Sequence, residues 1–216
     1  MPSALDVAIS QPESMKGRIL FAARRMFGRH GFRGTSTRGI AGEVATDVSA
    51  LYYHWGSKKE LFEAVLEWIE LDFEERLRRW VHETRDRPFD ECFQVAVDAF
   101  ADFFLDRDVV RVVLFSFFDD ESEAQAWAVR SQRQLIETIR TFIEKRFGFR
   151  PAAPGFDAAV VALIHAALSL IGSRGHLADV LSLDPAGTEY RDLVITTLRG
   201  LFAAFLTTIT PHTEPA

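Results

Sequence analysis

The stretch Thr35–Gly56, TSTRGIAGEVATDVSALYYHWG, contains two short helical segments with their own start and stop signals. The first, Arg38 to Val44, follows three hydroxyl-bearing residues that can cap a helix N-terminus. The second, Val48 to about His54, follows Asp47, an equally good cap, and Gly56 ends it. Two helices of about two turns, joined by three or four residues, form a helix-turn-helix. The sequence therefore predicts this motif.

The outward face of the second segment suits a surface that enters a DNA groove. Its first residues are small, which permits a close approach to the floor of the major groove. Its later residues carry hydroxyl and ring N–H groups that can donate to phosphate oxygens. The outward residues are Val48, Ser49, Ala50, Tyr52, Tyr53 and His54, whereas Leu51 and Trp55 are expected in the core.

Charge is divided unevenly along the chain. The 216 residues carry a net charge of −6, which taken alone argues against binding a polyanion. Ser14–Leu61, however, holds nine lysines and arginines and three acids, a charge of +6, so the remainder carries −12. A compact basic segment on an acidic body is typical of a DNA-binding unit whose partner domain faces away from the DNA.

Ser14–Phe73 resembles the DNA-binding domain of the TetR family of bacterial transcriptional regulators. The similarity rests on three motifs that occur in order. They are A-x-x-x-F followed by Gly-Phe (Ala23–Phe27 and Gly31-Phe32), T-S-T-x-x-I-A (Thr35–Ala41), and L-Y-Y-H-W-x-S-K-x-x-L (Leu51–Leu61).

This resemblance implies roles for individual residues. Ser36, Thr37 and Arg38 are expected to contact the DNA backbone or a base edge. The residues implied to face bases are Val48, Ser49, Ala50 and Tyr53, and those implied to hold phosphates are Tyr52, His54 and Lys58.

The chain departs from the family pattern at four positions. Ala45 and Thr46 stand in the turn, where the family usually has glycine and an apolar residue. Asp47 replaces the usual serine cap, and Trp55 replaces the usual phenylalanine. None of these changes removes the predicted motif.

The rest of the chain is predicted to be helical. From Ser57 to Phe147 there is no glycine and one proline, whereas strands joined by turns need more breakers. Apolar residues recur at helical spacing, with long helices at roughly 58–86, 155–173 and 188–209. Val109–Phe118 would suit a buried strand, but it lacks a strand partner and is interpreted as a helix. Ser173–Gly187 is interpreted as a break with one short turn. The fold class is therefore all-α, with about nine helices.

Aromatic residues are concentrated in the middle of this acidic body. Plain core packing explains most of them, and the alternative is a largely apolar ligand cavity, which the family resemblance favours. Candidate ligand-binding residues are Phe93, Phe100, Phe104, Arg111, Phe115, Trp127 and His165. Arg111 and His165 are the polar candidates, although such residues are more often ordinary core or snorkelling side chains.

The last two long helices are apolar over more than one stripe, so they must be covered on several sides. A second copy supplying the same pair would form a four-helix bundle, as the family commonly does. Two identical recognition helices about 34–36 Å apart read a palindrome. The sequence therefore predicts a homodimer through these helices.

Other features limit the possible functions. One cysteine, Cys92, excludes an intrachain disulfide and is interpreted as a small core residue. The chain lacks an apolar run of 18 residues and a signal-peptide pattern, so a cytoplasmic protein that does not bind membranes is expected. Metal-ligand spacings and catalytic motifs are absent, so no metal, cofactor or catalytic residue is predicted.

The acidic run Asp119–Glu123 could hold a cation but is interpreted as a helix start.

These observations together predict a homodimeric repressor that binds a palindromic operator and is released by a small, largely apolar effector. Residues 14–60 would form a three-helix DNA-binding domain, with the motif at about 36–55, and residues 61–210 a helical effector-binding and dimerisation domain. Two alternatives are a small helical enzyme acting on an apolar substrate and an effector-free architectural or interaction module. An activator of the same family is a third.

Overall fold

The computed structural model describes residues 3–88, 91, 92, 95, 106–118, 123–152 and 154–209. The described residues form helices and connecting segments without any strand, so the all-α prediction is confirmed. Ten helices are present in this part of the chain. They are α1 (Ala4–Ser10), α2 (Met15–Gly34), α3 (Thr37–Glu43), α4 (Val48–Trp55), α5 (Lys58–Glu83), α6 (Arg107–Phe118), α7 (Glu123–Phe147), α8 (Gly155–Gly172), α9 (Arg174–Leu181) and α10 (Thr188–Ile209).

Two of these helices differ from the sequence-based expectation. α1 was not predicted, and its start is fixed by a capping box in which Ser3 and Asp6 each bond the other's backbone N–H. α9 replaces the expected break with two turns of helix, which end at Ser182 in a left-handed conformation (φ 56°). Val109–Phe118 lies within α6, as predicted.

The chain divides into two compact units. The amino-terminal unit comprises Met1–Glu74 and Asp106–Ala128, and the carboxy-terminal unit comprises Glu75–Leu105 and Val129–Ala216. Packing therefore places α6 in the same unit as the predicted DNA-binding helices, because its apolar face is buried there. The functional division at residues 60 and 61 stays a prediction.

Helix α2 is the centre of the amino-terminal unit. Its fully buried face includes Ile19, Leu20 and Phe27. Glycines permit close approaches on both sides of α2. A Cβ at Gly17 would overlap backbone atoms of Gln11 and Pro12, and one at Gly28 would lie 2.8 Å from the carbonyl oxygen of Asp108. The helices α1 and α6 therefore pack directly on the backbone of α2.

The carboxy-terminal unit is built around the packing of α8 on α10. Phe156, Leu168 and Ile171 of α8 are buried. The Tyr190 hydroxyl of α10 donates a 2.6 Å hydrogen bond to the carbonyl oxygen of Leu170. Arg140 of α7 donates to the Asp157 carboxylate at the start of α8, and its guanidinium lies 5.5 Å from the Phe156 ring centre.

Helix α8 has an unusual composition. Its 18 residues have a mean hydropathy of 1.8, and only 28% of this span is buried within the chain. By length and composition alone, α8 could cross a membrane. The sequence analysis did not expect such a segment, because Asp157 and His165 interrupt the apolar run.

Candidate nucleic-acid interface

Each motif helix begins at a side-chain cap: α4 at the predicted Asp47, and α3 at Ser36, one of the three hydroxyl residues that the sequence offered. The Ser36 hydroxyl accepts the backbone N–H of Gly39 at 3.0 Å, and the Asp47 carboxylate accepts that of Ala50 at 2.7 Å. The side chains of Ile40 and Leu51 are fully buried against the rest of the unit. The caps fix where each helix begins, and the buried pair fixes which face remains outside.

The turn between α3 and α4 contains a strained residue. Ala45 has φ 52°, in the left-handed region that favours glycine. The Thr46 N–H donates to the carbonyl oxygen of Ala41 at 3.0 Å, which closes the end of α3. The turn therefore has a backbone conformation that suits glycine, and an alanine adopts it in this chain.

Trp55 anchors the end of α4. Its side chain is 7% exposed, and its indole N–H donates to the carbonyl oxygen of Lys16 at 3.2 Å. The Lys16 ammonium lies 5.0 Å from the centre of the Trp55 ring. Trp55 is thus a core residue, as predicted, that ties α4 to the start of α2.

None of the predicted DNA-contacting residues is buried. Tyr53 is 86% exposed and Tyr52 is 48% exposed, which is unusual for aromatic side chains that serve packing alone. The exposed candidates are Ser36, Arg38, Ser49, Tyr52 and Tyr53, and the half-buried ones are Thr37, Val48, Ala50, His54 and Lys58. The start of α3, the length of α4 and the first residue of α5 thus keep these ten residues at least partly exposed.

The cations of this unit fall into two groups. Arg18 donates to the Val44 carbonyl oxygen at 2.7 Å, and Arg25 lies 3.7 Å from the Glu43 carboxylate, so both guanidinium groups already have a partner within the protein. Arg38 is exposed and makes no hydrogen bond or ion pair with the residues that the structure describes. Its guanidinium is therefore available to a phosphate or a base edge.

Lys58 has a structural role that the sequence did not reveal. Its ammonium donates to the carbonyl oxygens of Phe32 at 2.9 Å and Thr35 at 3.0 Å. It also lies 4.2 Å from the centre of the Phe32 ring. Lys58 thus satisfies carbonyl groups at the end of α2, and one of its three donors remains for another acceptor.

The candidate ligand-binding residues are dispersed. Phe93, Phe100 and Phe104 lie outside the described residues, and His165 lies in the carboxy-terminal unit, where its ring is 3.4 Å from the Gln132 amide. The other three, Arg111, Phe115 and Trp127, lie in the amino-terminal unit.

Those three residues have different surroundings. The Trp127 indole donates to the Glu70 carboxylate at 3.2 Å, which is a core contact. Burial, followed by repulsion from Arg107, lowers the pKa of Arg111. Phe115 is 44% exposed and lines a cavity.

That cavity lies within the amino-terminal unit, between α2, the start of α5 and α6. It has a volume of about 290 Å³. Its lining residues are Phe27, His30, Gly31, Phe32, Arg33, Phe62, Val112, Phe115, Ser116, Phe118 and Ala124. The sequence analysis named Phe27 only as part of a family motif and did not anticipate an opening beside it.

No group of three or more metal-ligating side chains converges within the described part of the chain. The acidic run Asp119–Glu123 lies outside the described side chains.

Residues 19–65 match the family model described as bacterial regulatory proteins, tetR family. Over 66 residues the chain is 41% identical to the HTH-type transcriptional repressor SCO4008 of Streptomyces coelicolor, and that match covers 31% of this chain and 34% of the relative. Over 57 residues it is 37% identical to the HTH-type transcriptional dual regulator CecR of Shigella flexneri, covering 26% of this chain and 25% of the relative. These matches therefore span about a third or less of the relatives' own length.

Solved structures resemble this chain over most of its length. A TetR-like transcriptional regulator from Rhodococcus sp. RHA1 superposes with a TM-score of 0.62 at 24% identity, over 96% of this chain and 98% of that one. A transcriptional regulator (TerR/AcrR family) from Aquifex aeolicus VF5 superposes with a TM-score of 0.61 at 18% identity, over 88% of this chain and 99% of that one. AibR, in complex with isovaleryl coenzyme A and operator DNA, superposes with a TM-score of 0.62 at 18% identity, over 85% of this chain and 95% of that one. At these identities the likeness is one of fold.

Proposed function

The chain carries a TetR-family DNA-binding domain on an all-helical body, and from that premise we propose that it is a repressor that binds a palindromic operator as a homodimer and is released by a small effector. The TetR family consists of transcriptional regulators, not enzymes. A regulator that binds operator DNA is expected to act in the cytoplasm.

The observation that carries the proposal is the accessible face formed by the start of α3 and the outward side of α4. It combines Tyr53, which is 86% exposed, with Arg38, which has no partner among the described residues. Both lie in the segment of charge +6. Exposed aromatic and cationic groups on a capped two-helix motif match the contacts by which such motifs hold phosphates and read base edges.

Selection of bound sequences from random duplex DNA tests this proposal. We expect a palindrome whose half-sites are about one helical turn apart. With that operator, Arg38→Ala should weaken binding about ten-fold. Arg130→Ala removes the same charge from an exposed position on α7 and should leave binding unchanged. Selection that returns no enriched sequence would contradict DNA binding by this face.

A second copy of the chain is the proposed cover for α8. Most of this apolar helix is unburied within one chain, and α10 beside it also exposes Leu193 and Leu201. A two-fold partner buries both helices and supplies the second recognition helix that a palindrome requires. Sedimentation should therefore show a dimer without detergent. Ala162→Glu, at an exposed position of α8, should yield monomers. Ala126→Glu, at an exposed position of α7, should leave the dimer intact.

Effector release rests on more general support. AibR shows that this fold accommodates an acyl-coenzyme A ligand together with operator DNA in that protein. Because coupling between two sites is reciprocal, an effector that weakens operator binding must itself bind more weakly to the DNA-bound dimer. An effector-free interaction module predicts instead that no ligand alters operator affinity, and an activator predicts that loss of the protein lowers transcription.

A further inference from the structure

Helix α3 lies along α2 and contacts it near both of its ends. Near the start of α3, a Cβ at Gly39 would lie 3.1 Å from the terminal methyl group of Met26. At the other end, the Arg18 guanidinium donates a 2.7 Å hydrogen bond to the carbonyl oxygen of Val44, the C-terminal cap of α3. Because Arg18 lies about two turns before Met26, the two helices run in opposite directions.

Two arginines on one face of α2 approach the end of α3. Arg18 and Arg25 are separated by seven positions, which places them on the same side of the helix. The last carbonyl groups of a helix lack intrahelical donors and carry partial negative charge, so cations are favourable there. Arg18 bonds the backbone itself, whereas Arg25 pairs at 3.7 Å with the Glu43 side chain, and both members of that pair are more than a third exposed.

The carbonyl group that Arg18 bonds stands at the entry to the strained turn. Val44 is 5% exposed, and Ala45, which follows it, has φ 52°. The N–H groups of Ala45 and Thr46 are bonded back to carbonyl oxygens of α3, at 3.2 and 3.0 Å. A left-handed alanine persists only where its surroundings hold it. The Arg18 contact is a side-chain bond that can do so.

The start of α2 also holds the other end of α4. The Trp55 indole donates at 3.2 Å to the carbonyl oxygen of Lys16, which lies two residues before Arg18. At the other end of α4, its cap Asp47 follows Val44 by three residues. The first turn of α2 therefore contacts the chain just before α4 and at its last residue.

We propose that Arg18 is a positioning residue for DNA recognition, because its bond to Val44 holds the turn and thereby sets the direction in which α4 leaves α3. The residues expected to face bases lie on α4, so its direction decides which base edges they reach. Attraction to phosphates depends on charge and is similar for every duplex. This inference deepens the proposed function and, for its effect on DNA, rests on it.

The affinity of the full-length protein for the selected operator, divided by its affinity for an unrelated duplex, tests this role. Both affinities are measured by fluorescence anisotropy. Arg18→Met should lower this ratio about five-fold, as expected for the loss of one partly exposed hydrogen bond from a charged donor. Arg25→Met removes the same charge from the same face of α2 and should leave the ratio unchanged, because an exposed ion pair contributes little.

Two further results separate positioning from a direct phosphate contact. Arg18→Lys keeps the charge and a donor, so it should restore most of the lost ratio. If Arg18 instead held a phosphate, Arg18→Met would weaken binding to both duplexes equally. An unchanged ratio in Arg18→Met, or the same change of ratio in Arg25→Met, would overturn the proposal.

Ala45→Gly tests whether the contact acts through the turn. Glycine adopts the left-handed conformation without strain, so the turn then depends less on being held. In the Ala45→Gly background, adding Arg18→Met should therefore lower the affinity ratio by less than about two-fold. A loss as large as in the wild-type background would place the effect of Arg18 elsewhere and overturn the proposal.

A measurement without DNA separates this inference from the proposed function. In hydrogen exchange followed by NMR, the Thr46 N–H should exchange about five-fold faster in Arg18→Met than in wild type or Arg25→Met, because the turn opens more often. Equal exchange rates in the three proteins would overturn the inference while operator binding by wild type stands. Failure of wild type to select any DNA sequence would instead overturn the proposed function, and the exchange rates would still decide whether Arg18 holds the turn.

Discussion

Arg24 of α2 donates a hydrogen bond from Nη2 to the Asp106 carboxylate at 2.7 Å, across 82 residues of sequence. The other carboxylate oxygen of Asp106 accepts the backbone N–H groups of Asp108 and Val109 at 3.1 and 3.2 Å. The Arg24 guanidinium also lies 4.6 Å from the centre of the Trp68 ring. One carboxylate thus caps α6 and holds it against α2.

Substitutions at Asp106 should separate these two tasks. Asp106→Asn keeps a good cap and loses the charge, so the free energy of unfolding should fall by about 1 kcal/mol. Asp106→Ala loses both and should cost about 2 kcal/mol. Urea unfolding measures both values, and Asp86→Asn, at a side chain 91% exposed, serves as the control. Equal stability of all three variants would show that the pair contributes nothing.

A substitution at Ala45 is expected to raise the free energy of unfolding, whereas those at Asp106 lower it. Because it holds φ 52° in the turn between α3 and α4, Ala45→Gly should relieve strain and raise the free energy of unfolding by about 0.5 kcal/mol. Ala126→Gly, on the exposed face of α7, should lower it by about 1 kcal/mol, since glycine is a poor helix former. The prediction fails if both glycines destabilise the protein by the same amount.

The helix-turn-helix could be predicted because its signals are local. Asp47 and Gly56 cap α4 at the predicted positions, and Ser36, one of the three hydroxyl residues that the sequence offered, caps α3 one residue earlier than predicted. Helix α1 was missed although its capping box is equally local, because its seven residues show no long apolar repeat. Helix α1 packs against Gly17 of α2, and this contact exists only in the folded chain.

The cavity could not be predicted for a similar reason. Phe27 and Phe115 are 88 positions apart, and each, taken alone, is an ordinary apolar residue on a helix. Their meeting depends on α6 packing on the glycine side of α2, which sequence spacing does not encode. The sequence predicts Lys58 as a phosphate contact, which stays a prediction, whereas its two carbonyl acceptors in α2 and the following loop follow from tertiary structure.

Cys92 should be unreactive in the folded protein. Its thiol is fully buried, lies 3.5 Å from the Thr84 carbonyl oxygen, and has a pKa raised chiefly by burial. Because only the thiolate attacks a disulfide reagent, reaction with Ellman's reagent at pH 8 should be slow in buffer, faster at higher pH, and fast in urea. In Ala126→Cys, one exposed thiol should react at once while Cys92 does not. Rapid labelling of native wild type would contradict this burial.

Lys58 offers a prediction in which stability and DNA binding can be read separately. Lys58→Met keeps much of the aliphatic stem but removes the ammonium that bonds Phe32 and Thr35, so the free energy of unfolding should fall by about 1–2 kcal/mol. If the third donor of the ammonium also holds a phosphate, the slope of log K against log salt should become shallower by about 0.9.

The matched control for this test is Lys59→Met, which removes the neighbouring charge from a side chain that is 58% exposed and pairs with Glu63 at 4.0 Å. It should leave stability nearly unchanged, because exposed pairs contribute little. Both slopes are measured by anisotropy on the selected operator across a salt series. A destabilised Lys58→Met protein with an unchanged slope would assign Lys58 to the fold alone, because a lost phosphate contact must release fewer counterions regardless of how stable the protein remains.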